Sequence, residues 1–82
     1  MECRIGITTN LPSRKSYWES VCRNLRDWQV IAGPFATKAA AQAEETRFAR
    51  QHGCGSAPGG DDPNDTNAQW WVYGFNHDGC SQ

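Results

Sequence analysis

Three segments of the chain have the residue pattern of β-strands. In residues 3–9, apolar Cys3, Ile5 and Ile7 alternate with polar or small residues. Alternation at every second position predicts a strand with one buried face. Residues 28–32 predict a second strand, which we expect to end at Gly33-Pro34. The aromatic run over residues 69–75 predicts the last strand, and residues 76–79 have the composition of a turn.

Two other segments have the pattern of helices. Tyr17, Val21 and Leu25 recur at every fourth position, and this spacing predicts an amphipathic helix over residues 12–24, with Pro12 in its first turn. An alanine-rich segment predicts a second helix over residues 38–52. Thr37 is its expected N-cap and Gly53 its expected C-terminal glycine. Its small alanine side chains would let it lie close against a sheet.

The order of these elements predicts one small α+β domain covering residues 1–82. We expect a mostly antiparallel, three-stranded sheet packed with two main helices. Residues 54–67 are rich in glycine, proline and aspartate and predict a long, flexible loop before the last strand.

Charge is distributed unevenly along a chain whose net charge is only −1. All eight lysines and arginines lie in residues 1–52, whereas residues 53–82 carry four acidic residues and no basic one. An anion-binding surface is therefore expected on the first two thirds of the chain. The sequence has no apolar run long enough to cross a membrane and no signal-peptide pattern, so we predict a cytoplasmic protein without a membrane partner.

Four cysteines permit two disulfides, but other states are open. Without a secretory signal, free thiols are the default expectation for Cys3, Cys22, Cys54 and Cys80. Zinc is an alternative, because His52 and His77 lie near Cys54 and Cys80 and would complete a set of two histidines and two cysteines.

A known family signature is visible near the N-terminus. Gly6-Ile-Thr-Thr-Asn-Leu-Pro-Ser-Arg14 combines a strand ending in glycine, a polar turn and an arginine early in a helix. This segment resembles the second half of the GIY-YIG nuclease signature, whose helix carries a catalytic arginine. Ala41-Gln-Ala-Glu-Glu45 is similar to the A-x-x-x-E motif of the same family. Glu44, four residues after Ala40, fits almost as well as Glu45.

The first motif of that family is found at the other end of this chain. Trp70-Trp-Val-Tyr73-Gly-Phe-Asn-His-Asp-Gly79 resembles the hairpin with which the small bacterial members open. The resemblance therefore implies a circular permutant of the GIY-YIG fold, in which residues 69–75 pair with residues 3–9. Nearby termini make such a permutation physically easy.

The resemblance implies metal-dependent cleavage of nucleic acid, with DNA favoured. Tyr73, Arg14 and Glu45 would be the catalytic residues, and Tyr73 would orient or deprotonate water. Glu45, or Glu44, would hold one Mg²⁺ or Mn²⁺, since Mg²⁺ needs only one or two protein carboxylates. Arg4, Lys15 and Trp71 would contact the nucleic acid. A domain this small would need a homodimer or a protein partner to choose a sequence.

Two departures from the family leave the activity open. Arg4 stands where the family has its second tyrosine, and Trp18 stands where it often has a histidine. Losing that tyrosine removes a candidate general base, whereas Arg4 would add a phosphate contact. The alternative is a catalytically inactive GIY-YIG-like module that binds nucleic acid or protein. A third hypothesis is an interaction module that uses Trp70 or Trp71 with the loop at residues 54–67.

Overall fold

The computed structural model describes residues 2–56 and 69–81, which form an α+β domain, as predicted. Two helices and four strands follow one another along the chain: β1 (Glu2–Thr8), α1 (Leu11–Val21), β2 (Arg26–Phe35), α2 (Lys38–His52), β3 (Gly55–Ser56) and β4 (Trp70–His77).

The sheet is mixed and has the strand order β2-β4-β1-β3. Strand β4 is antiparallel to both β1 and β2, and its register with β1 pairs Tyr73 with Gly6. The predicted pairing of the two chain ends is thus confirmed. The prediction of a three-stranded, mostly antiparallel sheet is wrong in detail, because Gly55–Ser56 forms a short fourth strand that is parallel to β1. The loop was predicted to include this strand, and residues 57–67 of that loop lie outside the described residues.

Helix α2 has the bounds and caps that the sequence predicts. The Thr37 hydroxyl accepts a hydrogen bond from the Ala40 amide at 3.1 Å, and Gly53 is left-handed with a φ of 66°. Helix α1 is shorter than the predicted residues 12–24. It ends at Val21 because Cys22 is already extended, and the side chain of Asn10 caps its start.

Strand β2 is longer than predicted and continues past Gly33-Pro34 to Phe35. It is an edge strand that pairs only with β4 among the described strands. A proline at an edge can direct its missing amide away from the ladder, so Pro34 does not end the strand.

The sheet carries a hydrophobic cluster on each of its two faces. Side chains alternate across a strand, and each helix covers one face. The cluster under α2, here called the α2 face, consists of Ile5, Ile7, Ala41, Ala49, Trp70 and Val72. The cluster under α1, here called the α1 face, consists of Trp18, Cys22, Tyr73 and Phe75.

Both chain ends are fastened by disulfides, Cys3–Cys54 and Cys22–Cys80, so the expectation of free thiols is wrong. The pairing of β3 with β1 brings Cys3 and Cys54 together, and a β-bridge brings Cys22 to Cys80. Disulfides persist in oxidising compartments, so the cysteines give the predicted cytoplasmic location no support. Neither described helix has the length and apolar character needed to cross a membrane.

Candidate functional site

Tyr73 lies inside the α1 face. Its side chain is 2% exposed, and its ring stacks on Trp28 with 4.7 Å between the ring centres. The Trp18 indole N–H donates a hydrogen bond to the Tyr73 hydroxyl at 2.8 Å. The phenol proposed to activate water is therefore a buried packing residue whose oxygen accepts a hydrogen bond from the core.

Two arginines hold their guanidinium groups over neighbouring rings of α1. The Cζ atom of Arg14 lies 5.2 Å from the centre of the Tyr17 ring, and the Cζ atom of Arg4 lies 5.2 Å from the centre of the Trp18 ring. The two rings are themselves 5.0 Å apart, edge to face. Lys15 is exposed beside Arg14. We call these five residues the cation–aromatic surface.

Glu45 belongs to the opposite side of the sheet. Ala41, Glu45 and Ala49 are the buried residues of α2, and their four-residue spacing puts them on one side of the helix. Both alanines pack in the α2 face, and Glu45 between them is only 2% exposed. Burial raises the pKa of its carboxyl, and a hydrogen bond with the Ser56 side chain opposes that rise. Its Oε2 atom has no hydrogen-bond partner among the described residues.

The predicted catalytic residues are therefore not in one cleft. Tyr73 contacts the helix on one face of the sheet, and Glu45 is buried under the helix on the other. Glu44 is half-buried and forms an ion pair with Arg47 on the same helix. The sheet separates both carboxyl groups from the hydroxyl of Tyr73.

The carboxyl groups of α2 do not fit the single Mg²⁺ or Mn²⁺ that the resemblance implies. A protein-bound Mg²⁺ keeps several waters, but the carboxyl of Glu45 is enclosed between α2 and the sheet. Burial raises its pKa and so disfavours the charged form, which is the form that binds a metal ion. Glu44 is already paired with a guanidinium.

The two tryptophans that begin β4 point to opposite faces. Trp70 is 5% exposed in the α2 face, where the Lys38 Nζ atom lies 5.8 Å from its ring centre. Trp71 is half-buried on the other face, and its ring lies close against Gly33 of β2. Trp71 therefore keeps an accessible edge, but its contact with nucleic acid stays a prediction.

Sequence reasoning missed the position of Tyr17. It assigned Tyr17 to the buried stripe of α1, whereas the side chain is 37% exposed and lies under Arg14. The spacing of three residues between Arg14 and Tyr17 was the available signal, because such residues are neighbours on a helix. The contact between Arg4 and Trp18 joins β1 to α1, so no local pattern in the sequence could have predicted it.

The motifs quoted above remain the only basis for the GIY-YIG resemblance. The sequence matches no protein-family model, no curated protein and no solved structure. By its geometry, the cation–aromatic surface is the candidate binding site of this chain.

Proposed function

We propose that this chain binds single-stranded nucleic acid without cutting it, through the cation–aromatic surface. One observation carries the proposal: Arg4 and Arg14 are both held over the adjacent rings of Trp18 and Tyr17. The arrangement places two positive charges beside the partly exposed ring of Tyr17, while the Trp18 ring is buried and carries Arg4 on its face. A nucleotide strand likewise places phosphates beside flat bases.

The chemistry of the two partners is complementary. A guanidinium donates paired hydrogen bonds to phosphate oxygens, which a lysine cannot match geometrically. Base stacking on an aromatic ring is worth about 1–3 kcal/mol per base and does not depend on sequence. The ring of Tyr17 is 37% exposed, and a base would stack on this exposed part beside Arg14. Packing against the rings also limits the motion of the arginines, so less conformational entropy is lost on binding.

The same geometry argues against cleavage. A hydrolytic site needs an activated water beside the group that stabilises the phosphate charge. The Tyr73 hydroxyl is buried against Trp18, and Glu45 lies across the sheet from Arg14. The residues of the cation–aromatic surface supply positive charge and stacking, but they include no carboxylate and no histidine.

Binding is tested by fluorescence anisotropy with labelled single-stranded DNA and RNA oligonucleotides across a salt series. We expect Arg4→Gln/Arg14→Gln to weaken binding for all sequences alike. For two lost phosphate contacts, the slope of log affinity against log salt should fall in magnitude by about 1.4. Arg47→Gln/Arg50→Gln is the matched control, since it removes two exposed arginines of α2. Equal losses in both double variants, or no binding by the wild type, would overturn the proposal.

Cleavage is tested separately with plasmid DNA and Mg²⁺ or Mn²⁺. We expect no cutting by the wild type. Cutting that disappears in both Arg14→Ala and Glu45→Ala would instead support the GIY-YIG endonuclease. Chemical-shift changes confined to Trp70 and Trp71 on adding a protein partner would support the interaction module.

A further inference from the structure

We infer that Cys22, His77 and Cys80 form a zinc site when the Cys22–Cys80 disulfide is reduced. These three residues are far apart in the sequence, but their candidate ligand atoms all lie within 4.8 Å of one another. Cysteine sulfur and histidine nitrogen are the usual ligands of zinc in proteins. The site is separate from the cation–aromatic surface and does not depend on the proposed function.

The distances suit a tetrahedral ion. The Cys80 sulfur lies 3.5 Å from the Nδ1 atom of His77. Zinc bonds of about 2.3 Å to sulfur and 2.0 Å to nitrogen set these two atoms roughly 3.5 Å apart in a tetrahedral site. The two sulfurs must move apart, which reduction of the bond between them allows, and Cys22 must settle at a similar distance from His77 within the 4.8 Å that the three ligand atoms now span.

The Nδ1 atom of His77 lies near both the Gly79 amide and the Cys80 sulfur. The Gly79 amide donates a hydrogen bond to Nδ1 at 2.9 Å, so this nitrogen is the unprotonated one. The residue is 4% exposed and Cys22 is 7% exposed, so both are held by the core of the α1 face. Zinc would replace the Gly79 amide as the partner of Nδ1.

The surroundings provide an entry path and a charge that favours thiolates. Val21, Arg23, Gly79, Cys80 and Ser81 line a surface hollow of about 370 Å³. The Arg23 guanidinium lies against Gly79 at the edge of this hollow. A nearby guanidinium favours the thiolate form of cysteine, which is the form that binds metal. Water from the hollow would supply the fourth ligand.

The chain passes from the disulfide-bonded state to the zinc-bound state in two steps, reduction and metal binding. A dithiol transfers two electrons and two protons to the Cys22–Cys80 bond, which breaks into two thiols while the dithiol becomes a disulfide. Zinc binding then releases the two thiol protons and forms two Zn–S bonds and one Zn–N bond. In the reverse step a disulfide oxidant takes two electrons from the two thiolates and two protons from water and becomes a dithiol, while the Cys22–Cys80 bond forms again and Zn²⁺ is released.

The test is a titration of the full chain with Co²⁺ and then Zn²⁺, after reduction by a phosphine that is removed beforehand. Co²⁺ bound by thiolates has a charge-transfer absorption band, so its spectrum shows whether cysteine sulfur is a ligand. We expect one metal per reduced chain and none per oxidised chain. His77→Asn keeps an oxygen that can accept from the Gly79 amide but removes the metal ligand. The affinity of His77→Asn for the metal ion should fall more than about 100-fold. Loss of a residue that only supports a metal ligand costs roughly 10–100-fold.

His52→Asn is the matched control, because His52 lies beside the other disulfide, two residues before Cys54. It should bind Zn²⁺ like the wild type. If the reduced chain unfolds, the amide circular dichroism should return with Zn²⁺ in the wild type and not in His77→Asn. No binding by the reduced wild type, equal binding by His77→Asn, or loss in His52→Asn would each overturn the site.

Discussion

The hydroxyl end of Tyr73 lies directly over Gly6, its partner in the antiparallel register of β1 and β4. A Cβ atom added at Gly6 would lie 2.6 Å from the Tyr73 Cζ atom. The ring cannot withdraw easily, because it is stacked on Trp28 and hydrogen-bonded by Trp18. We expect Gly6→Ala to lower the free energy of unfolding by about 1–3 kcal/mol, measured by urea denaturation.

Gly55→Ala is the control for that substitution. Gly55 also lies in a strand, but its added Cβ would meet nothing closer than the Cys3 carbonyl oxygen at 3.7 Å, which is ordinary contact. Its effect should stay within about 0.5 kcal/mol. Similar losses at both positions would show that crowding against Tyr73 is not the cause.

Tyr73→Phe should reduce stability because it removes the acceptor of the Trp18 indole N–H. Trp18 is 3% exposed, so few waters can replace the lost partner. Leaving a buried donor unsatisfied costs about 1–3 kcal/mol. Tyr17→Phe removes the same hydroxyl from a half-exposed ring and should cost less than about 0.5 kcal/mol. Urea denaturation of both variants would contradict this account if Tyr17→Phe were the more damaging change.

The sequence predicted the parts of the fold that local chemistry controls. Helix α2 is bounded by Thr37 and Gly53, whose capping roles depend only on the residues next to them. The pairing of the two chain ends followed from the family resemblance. Strand β3 was missed because a strand of two residues has no periodicity, and it forms only by pairing with β1.

The candidate site was harder to predict because it depends on which face each side chain occupies. A position in a motif does not say on which side of the sheet its helix will pack. Glu45 matched the metal-binding glutamate of the resemblance, yet its neighbours Ala41 and Ala49 direct it into the α2 face. The disulfides were missed because their cysteines are 51 and 58 residues apart and pair through tertiary structure.

Removing either disulfide should lower stability by a similar amount. Cys3–Cys54 and Cys22–Cys80 close loops of nearly equal length, and the loss of chain entropy on cross-linking depends on loop length. Each double cysteine-to-serine variant should lose about 2–4 kcal/mol by urea denaturation. A loss confined to one of the two would show that native packing, rather than the cross-link, sets the effect.

Glu45 should make the wild type less stable as the pH rises. Burial raises its folded-state pKa, so the folded chain keeps a proton that the unfolded chain releases above about pH 4.5. The contribution of Glu45 to stability is then highest below that pH and falls as the pH rises through the raised pKa. Glu45→Gln carries no such proton. The stability of this variant relative to the wild type should increase from about pH 4 to pH 8 in urea denaturation. A constant difference would contradict the burial of the charge.

Asp78 should have the opposite effect at lower pH. A hydrogen bond from Asn24, and then the hydrogen bond and charge of Arg26, hold the pKa of its carboxyl below the ordinary 3.8. The ionised form is therefore favoured in the folded chain, and its stabilising contribution is present above pH 3.8 and lost as the pH falls through the lowered pKa. Asp78→Asn should be less stable than the wild type at neutral pH, and this difference should shrink on acidification. Because the carboxyl is exposed, added salt should shrink the difference as well. A difference that grows in acid would show that Asn24 and Arg26 do not stabilise the carboxylate.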